Sequence, residues 1–493
     1  MEVNLSRRRF LACIGIGAAA FSLPLRAAAK RANVLFLFTD DQRFNTLGAL
    51  NNPAVRTPHL DRLVREGVCF RNAYIMGGNS GAICMPSRAM LLTGRTVFSL
   101  SGRGETIPSE HVMFPELMRR RGYQTFGIGK WHNGPEAFNR CFEDGAEIMF
   151  GGMGDHWNVR ANDYDPSGSY DNVRPYIRDP YVTNRTHYSH VDHITPGVHS
   201  SELFADAAID FLNRRDRGRP FLVYVSFMAP HDPRSMPAEF REMYDPETVE
   251  LPPNYAPQHP FDNGEMKVRD ELLEAFPREP GAVRRHIAEY YAMITHLDAQ
   301  IGRILATLEQ GGELENTLIV FAGDNGLAVG QHGLMGKQNL YEHSVHVPLV
   351  FRGPAIPAGA SRGAFCYLLD IYPTLTDLLD LPVPESVQGV SLARVITGEK
   401  SGHRDAVVFA YKNLMRGLRR GDWKLIVYNV AGNKTTQLFD LARDPWETMD
   451  LASDPQQRPR IESLGSELER LLAEAGEPFR LADVAWGFGA AGP

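Results

Sequence analysis

The 493-residue sequence is short of three things. It has only five cysteines, with no C-x-x-C pair and no regular spacing. That excludes a disulfide framework and a zinc ribbon. It has no basic excess: 52 Lys and Arg stand against 59 Asp and Glu, a formal net charge of −7. Nucleic acid is therefore not expected as a partner, although a locally basic site for an anionic substrate stays open. Beyond residue 30 it lacks any apolar run near the roughly 20 residues that a membrane span needs, so no stable span is expected.

What it does have begins at the N-terminus. "SRRRFLACIGIGAAAFSLPLRAAAK" carries Arg7, Arg8 and Arg9, then an uncharged run from Phe10 to Leu25, then Ala27 to Ala29. These are the n-region, h-region and small-residue cleavage site of an export signal. Ser6-Arg7-Arg8-Arg9-Phe10-Leu11 resembles a twin-arginine signal, which carries folded proteins across a bacterial inner membrane. Cleavage is expected near Ala29. The protein is then periplasmic or secreted, with the twin-arginine translocation machinery as a partner. Residues 1–29 also take Cys13 away, leaving Cys69, Cys84, Cys141 and Cys366.

The remainder alternates helix and strand. "NVLFLF" (33–38) is a continuous apolar run, the mark of a strand buried on both faces. "PFLVYVSF" (220–227) and "TLIVFAGDNG" (317–326) read the same way. Helical spacing runs through 57–67, 114–122, 204–215 and a long stretch at 283–312. This predicts an α/β fold: a large, mostly parallel sheet sandwiched by helices. From about residue 395, short strands and a polar helix near 455–474 predict a smaller α+β C-terminal domain. The expected division is 1–29, 30–394 and 395–493. Two polar insertions, 151–200 and 232–280, break the periodicity. Long irregular segments inside a compact domain often form binding walls.

Four apolar strands run into polar residues of one chemical kind. They end in Asp40-Asp41, in Lys130-Trp131-His132, in His231-Asp232 and in Asp324-Asn325. In a parallel sheet these ends share one edge, where such folds bind ligands. Asp40, Asp41, Asp324 and Asn325 offer only hard oxygens. Three crowded carboxylates repel unless cations or protons neutralise them, and oxygen ligation suits Ca²⁺ or Mg²⁺ rather than zinc. Cys84 precedes Pro86, a residue suited to the opening of a helix. The helix N-terminus favours anions, and Arg88 follows one turn later on the same face.

Cys84-Met85-Pro86-Ser87-Arg88, followed by Leu92-Thr93-Gly94-Arg95, resembles the C-x-P-S-R…T-G-R element of type I sulfatases, in the alkaline phosphatase superfamily. "FLFTDDQR", "GKWH", "APHDP", "GDNG", "GQHGLMGK" and "LFDLARDPWE" occur in that family's order. The resemblance implies an alkaline-phosphatase-like fold and hydrolysis of a sulfate ester. It implies that a separate maturation enzyme oxidises Cys84 to formylglycine, whose hydrate attacks sulfur with one hydroxyl and expels sulfate through the other. By the same resemblance, Asp40, Asp41, Asp324, Asn325 and the modified Cys84 are metal ligands. Arg88 orients the nucleophile. Lys130 and Lys337 hold sulfate, His132 is the base of the elimination step, and His231 is the partner of the leaving-group oxygen. Two departures stand out: Asn133 follows "GKWH", and His346 stands in "YEHSVHVPL" where many members carry Arg.

The C-x-P-S-R element also occurs in phosphodiesterases and phosphonate monoester hydrolases of that superfamily, so this activity is a competing reading. A non-catalytic exported glycan-binding protein is another, although every charged catalytic position is filled. Export and the polar insertions point to a sulfated carbohydrate as substrate. Arg174, Arg178, His187, His190, His193 and Arg234 are the candidates for gripping a sugar or a second anionic group.

Overall fold

The computed structural model describes residues 31–177, 181–477, 479–483 and 486. The export signal expected over 1–29 and Arg178 lie outside the described residues.

Eight strands form the main sheet, in the order Ala360–Tyr367, Val68–Tyr74, Leu349–Arg352, Thr317–Gly323, Asn33–Thr39, Phe221–Ser226, Gln124–Lys130, Asp144–Met149. Only Leu349–Arg352 runs antiparallel to its neighbours. The expected mixed, mostly parallel sheet is what the structure contains. The fourth to seventh strands in that order are those whose apolar runs end in polar residues. In Asn33–Thr39 and Thr317–Gly323 all seven residues are buried, as double-sided helical cover requires. The outer strand Asp144–Met149 is only partly buried, which is why its sequence gives no clear strand signal.

Helices pack on both faces. Pro280–Gln310 spans 31 residues and lies against Ser200–Arg214 and Pro58–Glu66. Ser200–Arg214 begins four residues before its periodic run, because the His199 side chain accepts a hydrogen bond from Ser201 N at 3.2 Å and caps it. No helix among the described residues is long and apolar enough to cross a membrane.

A second sheet has the order Asn433–Asp440, Trp423–Val430, Met415–Arg420, Ala406–Tyr411, Gly77–Gly78. The helix Arg458–Glu474 packs on it through Leu464, Leu468 and Leu472. Its last strand, Gly77–Gly78, comes from the segment just before Cys84 and pairs with Ala410–Tyr411. The insertion 151–200 is not wholly irregular. It holds two small antiparallel pairs, Arg160–Ala161 with His193–Ile194 and Val173–Ile177 with Thr186–His190.

Candidate active site

Register puts the polar strand ends in line. Thr39 lies opposite Gly323, Phe38 opposite Ser226, and Ser226 opposite Gly129. The residues that follow therefore emerge together at one edge. Gly129 permits this approach: its φ is +81°, and a Cβ there would lie 2.1 Å from the Ser226 carbonyl oxygen. Asp41 itself has φ +64°. Its turn is held by Asp41 N donating to Asp324 Oδ1 at 3.1 Å and by the Tyr290 hydroxyl donating to the Asp41 carbonyl at 2.6 Å.

Over this edge sits the helix Cys84–Thr93, buried along its whole length. Cys84 is its first residue and Pro86 its third, where a missing N–H still costs nothing. Gly94, at φ +66°, ends it by donating to the Met90 carbonyl. Cys84 Sγ lies 3.2 Å from Asp40 Oδ1 and 3.1 Å from Lys337 Nζ. The thiol is 2% exposed.

The cluster balances its own charge. Lys130 donates to Asp40 Oδ2, Lys337 Nζ donates to Asp41 Oδ1 at 2.6 Å, and Arg88 Nε donates to Asp324 Oδ2 at 3.0 Å. The repulsion expected among three carboxylates is met in this structure by three side-chain cations. Arg88 also donates to the Lys130 carbonyl at 3.0 Å and to Ser226 Oγ. Burial alone would raise the Asp40 carboxyl, but Lys130, His231, Lys337 and Arg88 hold it well below the usual range. Asp324 goes the other way. Burial and the Asp40 charge push it up to about 6, against the pull of Arg88 and Lys130. Burial, with Asp40, pushes the Cys84 thiol up. His132 is held down to about 2 by burial and by Lys130 and Arg88, so its ring is neutral near pH 7.

His231 Nε2 is 3.6 Å from Asp41 Oδ2, and Nδ1 is 2.8 Å from the Asp232 carbonyl. A carbonyl only accepts, so Nδ1 carries a proton. Asp232 is in turn clamped by Arg269. Both belong to the insertion 232–280, which thus reaches the site. The insertion 151–200 reaches it through Gly152, where a Cβ would lie 2.7 Å from His132 Nε2.

Two observations bear on a metal. Ligand atoms of Asp40, Asp41, Cys84 and His231 lie within 4.8 Å of one another. Asn325 donates its amide to Asp41 Oδ1 at 2.6 Å, while its buried Oδ1 has no hydrogen-bond partner among the described residues. A buried amide oxygen left so is costly unless something accepts its lone pairs. With three carboxylates beside it, the donor set fits a hard divalent cation. Asp324 lies at the margin of that set, with one oxygen on Arg88 and the other on the Asp41 amide.

Residues 32–381 match the family model described as Sulfatase, and residues 330–474 match the model described as N-sulphoglucosamine sulphohydrolase, C-terminal. The chain belongs to the sulfatase family. It is a sulfuric ester hydrolase of the alkaline phosphatase superfamily. This sulfatase is 28% identical to the N-acetylglucosamine-6-O-sulfatase of Bacteroides thetaiotaomicron, over 89% of its own length and 84% of that protein. It is 29% identical to the ulvan-active sulfatase of Formosa agariphila, with 92% and 83% covered. Its fold is shared by a phosphonate monoester hydrolase of Agrobacterium radiobacter, at TM-score 0.70 and 24% identity, over 90% and 96% of the two chains.

In the sulfatase the structure gathers Asp40, Asp41, Cys84, Arg88, Lys130, His132, His231, Asp324, Asn325 and Lys337 into one cluster. The sugar-gripping candidates do not gather. Arg174 is exposed and donates to the Asp192 carbonyl at 2.7 Å, and His193 bonds Glu147 at 2.9 Å. His187 packs on Tyr176, and His190 is exposed on the same hairpin. Arg234 donates to His286 at 2.8 Å, with Nε and Nη2 buried and unbonded among the described residues. Sequence reasoning missed Ser226, Tyr290 and Arg269, and treated Asn133 only as a departure. Asn133 donates to the Met85 carbonyl at 3.2 Å and to that of Gly104 at 2.6 Å, pinning the Cys84 turn. Tyr290 sits 249 residues from Asp41, beyond any local signal.

Proposed function

We propose that the protein removes sulfate from a sulfated carbohydrate, with Cys84 converted to formylglycine by a maturation enzyme. The observation that carries this reading is the buried Cys84 Sγ held between Asp40 and Lys337 at the end of the central strands. The glycan-directed names of the relatives in Bacteroides and Formosa support the substrate class. Formylglycine, once formed, supplies a hydrated aldehyde as nucleophile.

Asp40, Asp41, Asp324 and Asn325, with the modified residue 84, would hold Ca²⁺ or Mg²⁺. Such an ion, when bound, would supply positive charge where the sulfuryl group is transferred. The chain's own side chains do the rest. Arg88, fixed by Asp324, Ser226 and the Lys130 carbonyl, orients residue 84. Lys130 and Lys337 bring ammonium groups against the sulfuryl oxygens, where charge builds during transfer. His231, with Nδ1–H bonded to the Asp232 carbonyl, offers Nε2 to the leaving-group oxygen. Neutral His132 accepts the proton that the nucleophile loses in the release step. Arg174, Arg178, His187, His190, His193 and Arg234 are proposed as sugar contacts, Arg234 with the best support because two of its buried nitrogens are unbonded.

Residues 1–29 are proposed as a twin-arginine signal that delivers the protein to the periplasm or beyond, residues 30–394 as the catalytic domain and 395–493 as its C-terminal partner. The test is mass spectrometry of the Cys84 peptide together with a screen of defined sulfated mono- and disaccharides. An aldehyde at residue 84, sulfate release from at least one saccharide, and loss of turnover in Cys84→Ala are expected. Full activity with an intact thiol, or faster cleavage of matched phosphate or phosphonate esters, refutes the reading.

A further inference from the structure

Apart from the cluster lies a separate cavity of about 1080 Å³, lined by residues that follow the Asp41 turn. None of Cys84, Lys130, His132, His231 or Lys337 lines it. It is large enough for a mono- or disaccharide. Arg43 lines it, three residues beyond Asp40, and is only 3% exposed. Its Nε and Nη1 are buried with no hydrogen-bond partner among the described residues, and its guanidinium rests 5.0 Å over the Tyr290 ring. A buried guanidinium without an anion is expensive. Four carboxylates share the wall, and none of them bonds Arg43 among the described residues: Asp245 and Glu250 are exposed. Glu342 is already shared by Arg419 at 2.8 Å and Lys424 at 2.9 Å, and Glu447 is paired with Lys424 at 2.8 Å.

A second lining residue repeats the pattern. Both ring nitrogens of His343 are buried and unbonded among the described residues, as is Nε2 of His346. The remaining wall is the kind that receives a sugar ring. Phe44, whose ring stacks on His346 at 4.1 Å, Tyr291 and Trp446 line it with aromatic surface, and Asn52, Asn254 and Gln331 line it with amide side chains. Asn254 Oδ1 is itself buried and unbonded.

We infer that this cavity is a second saccharide site, distinct from the hydrolytic centre, which takes an acidic sugar with its carboxylate or sulfate on Arg43 and His343. An oxyanion matches the planar fork of Arg43 and can accept from His343 at the same time. The site is linked to the catalytic loop through Tyr290. Arg43 N donates to the Tyr290 hydroxyl at 3.1 Å, and that hydroxyl donates to the Asp41 carbonyl. A Cβ on Gly326 would meet the His343 carbonyl oxygen at 2.1 Å. An acidic glycan held here would keep a polymer on the enzyme between cleavages.

The test uses a ligand that the hydrolytic centre has no sulfate ester to grip: an unsulfated uronic-acid disaccharide, titrated into the full-length protein by calorimetry. One-to-one binding is expected. Arg43→Gln should weaken it at least about tenfold, the loss of a charge-assisted pair. Cys84→Ala should leave it unchanged. Because Arg43 adjoins the Asp41 turn, Ala54→Trp, which fills the cavity mouth from an exposed position, gives a second disruption without touching that turn. Thermal melts confirm that both variants fold. No binding, or binding lost in Cys84→Ala and kept in Arg43→Gln and Ala54→Trp, overturns the proposal. So does inorganic sulfate binding at Arg43 as tightly as the disaccharide, because the site would then recognise only an oxyanion. Failure of the hydrolytic reading would instead show as absent turnover with this binding intact.

Discussion

At the scale of residues, the site is a set of opposed protonation states. Asp40 is held ionised by its cations, while Asp324 shares the same buried space and is pushed from 3.8 up to about 6. The raised value means that folded protein without metal keeps a proton that the unfolded chain has released between about pH 4 and 6. This group therefore favours folding below that window, and its contribution is lost as pH rises through about 6. A cation needs the ionised carboxylate, so proton and metal compete. Apparent Ca²⁺ affinity, measured by calorimetry, is expected to fall by about tenfold per pH unit below 6, for one displaced proton. Asp324→Asn should flatten that slope while weakening affinity at pH 7. A flat slope in the unaltered protein would remove Asp324 from the ligand set.

At the scale of elements, the close approach of strand ends matters more than any one side chain. Gly129 sits where the strand Gln124–Lys130 turns Lys130 toward Asp40. Gly129→Ala combines a positive φ with a Cβ 2.1 Å from a backbone oxygen, and backbone cannot swing aside as a side chain can. The expected loss is about 2 kcal/mol or more of stability in urea unfolding, with lower turnover because Lys130 moves. An alanine variant of unchanged midpoint and activity would show that the strand end has slack. The buried helix Cys84–Thr93 follows the same logic. Its position is set by Ser87 Oγ on the Asp324 carbonyl and by Arg88 on Asp324, contacts with residues more than 230 positions away.

At the scale of the molecule, the C-terminal region is stitched into the main body. Its sheet takes Gly77–Gly78 as an edge strand, and Lys424 and Arg419 neutralise Glu342. A chain ending at residue 394 would leave Glu342 buried without either cation and the Gly77–Gly78 edge unpaired, costs of several kcal/mol together. It is expected to be insoluble or to lack a cooperative melt by circular dichroism. A well-folded 394-residue product would mean that the two regions are independent. The N-terminus carries its own prediction. Replacing Arg7 and Arg8 with Lys should leave the protein in the cytoplasm, with formylglycine already formed and lysates active. Fractionation with mass spectrometry checks this. A stranded protein that keeps its thiol would mean that modification follows export.

The sequence by itself determined the elements and the chemical kind of the site. Continuous apolar runs such as "NVLFLF" read as strands covered on both faces, and in a parallel sheet their polar endings meet at one edge because parallel strands share a direction. The C-x-P-S-R segment carried its chemistry locally, since Cys84 and Arg88 are one helical turn apart. Tertiary structure alone decided what lies across large sequence gaps: that Lys130, Lys337 and Arg88 each neutralise one carboxylate, that Tyr290 props the Asp41 turn, and that Arg43 is buried with Nε and Nη1 unbonded among the described residues. It also placed Arg174 on a carbonyl of its own insertion and His193 on Glu147 of the outer strand. Such pairings depend on which helices and loops are brought over the sheet, and periodicity reports only which face of an element is apolar. It does not report which distant partner that face meets.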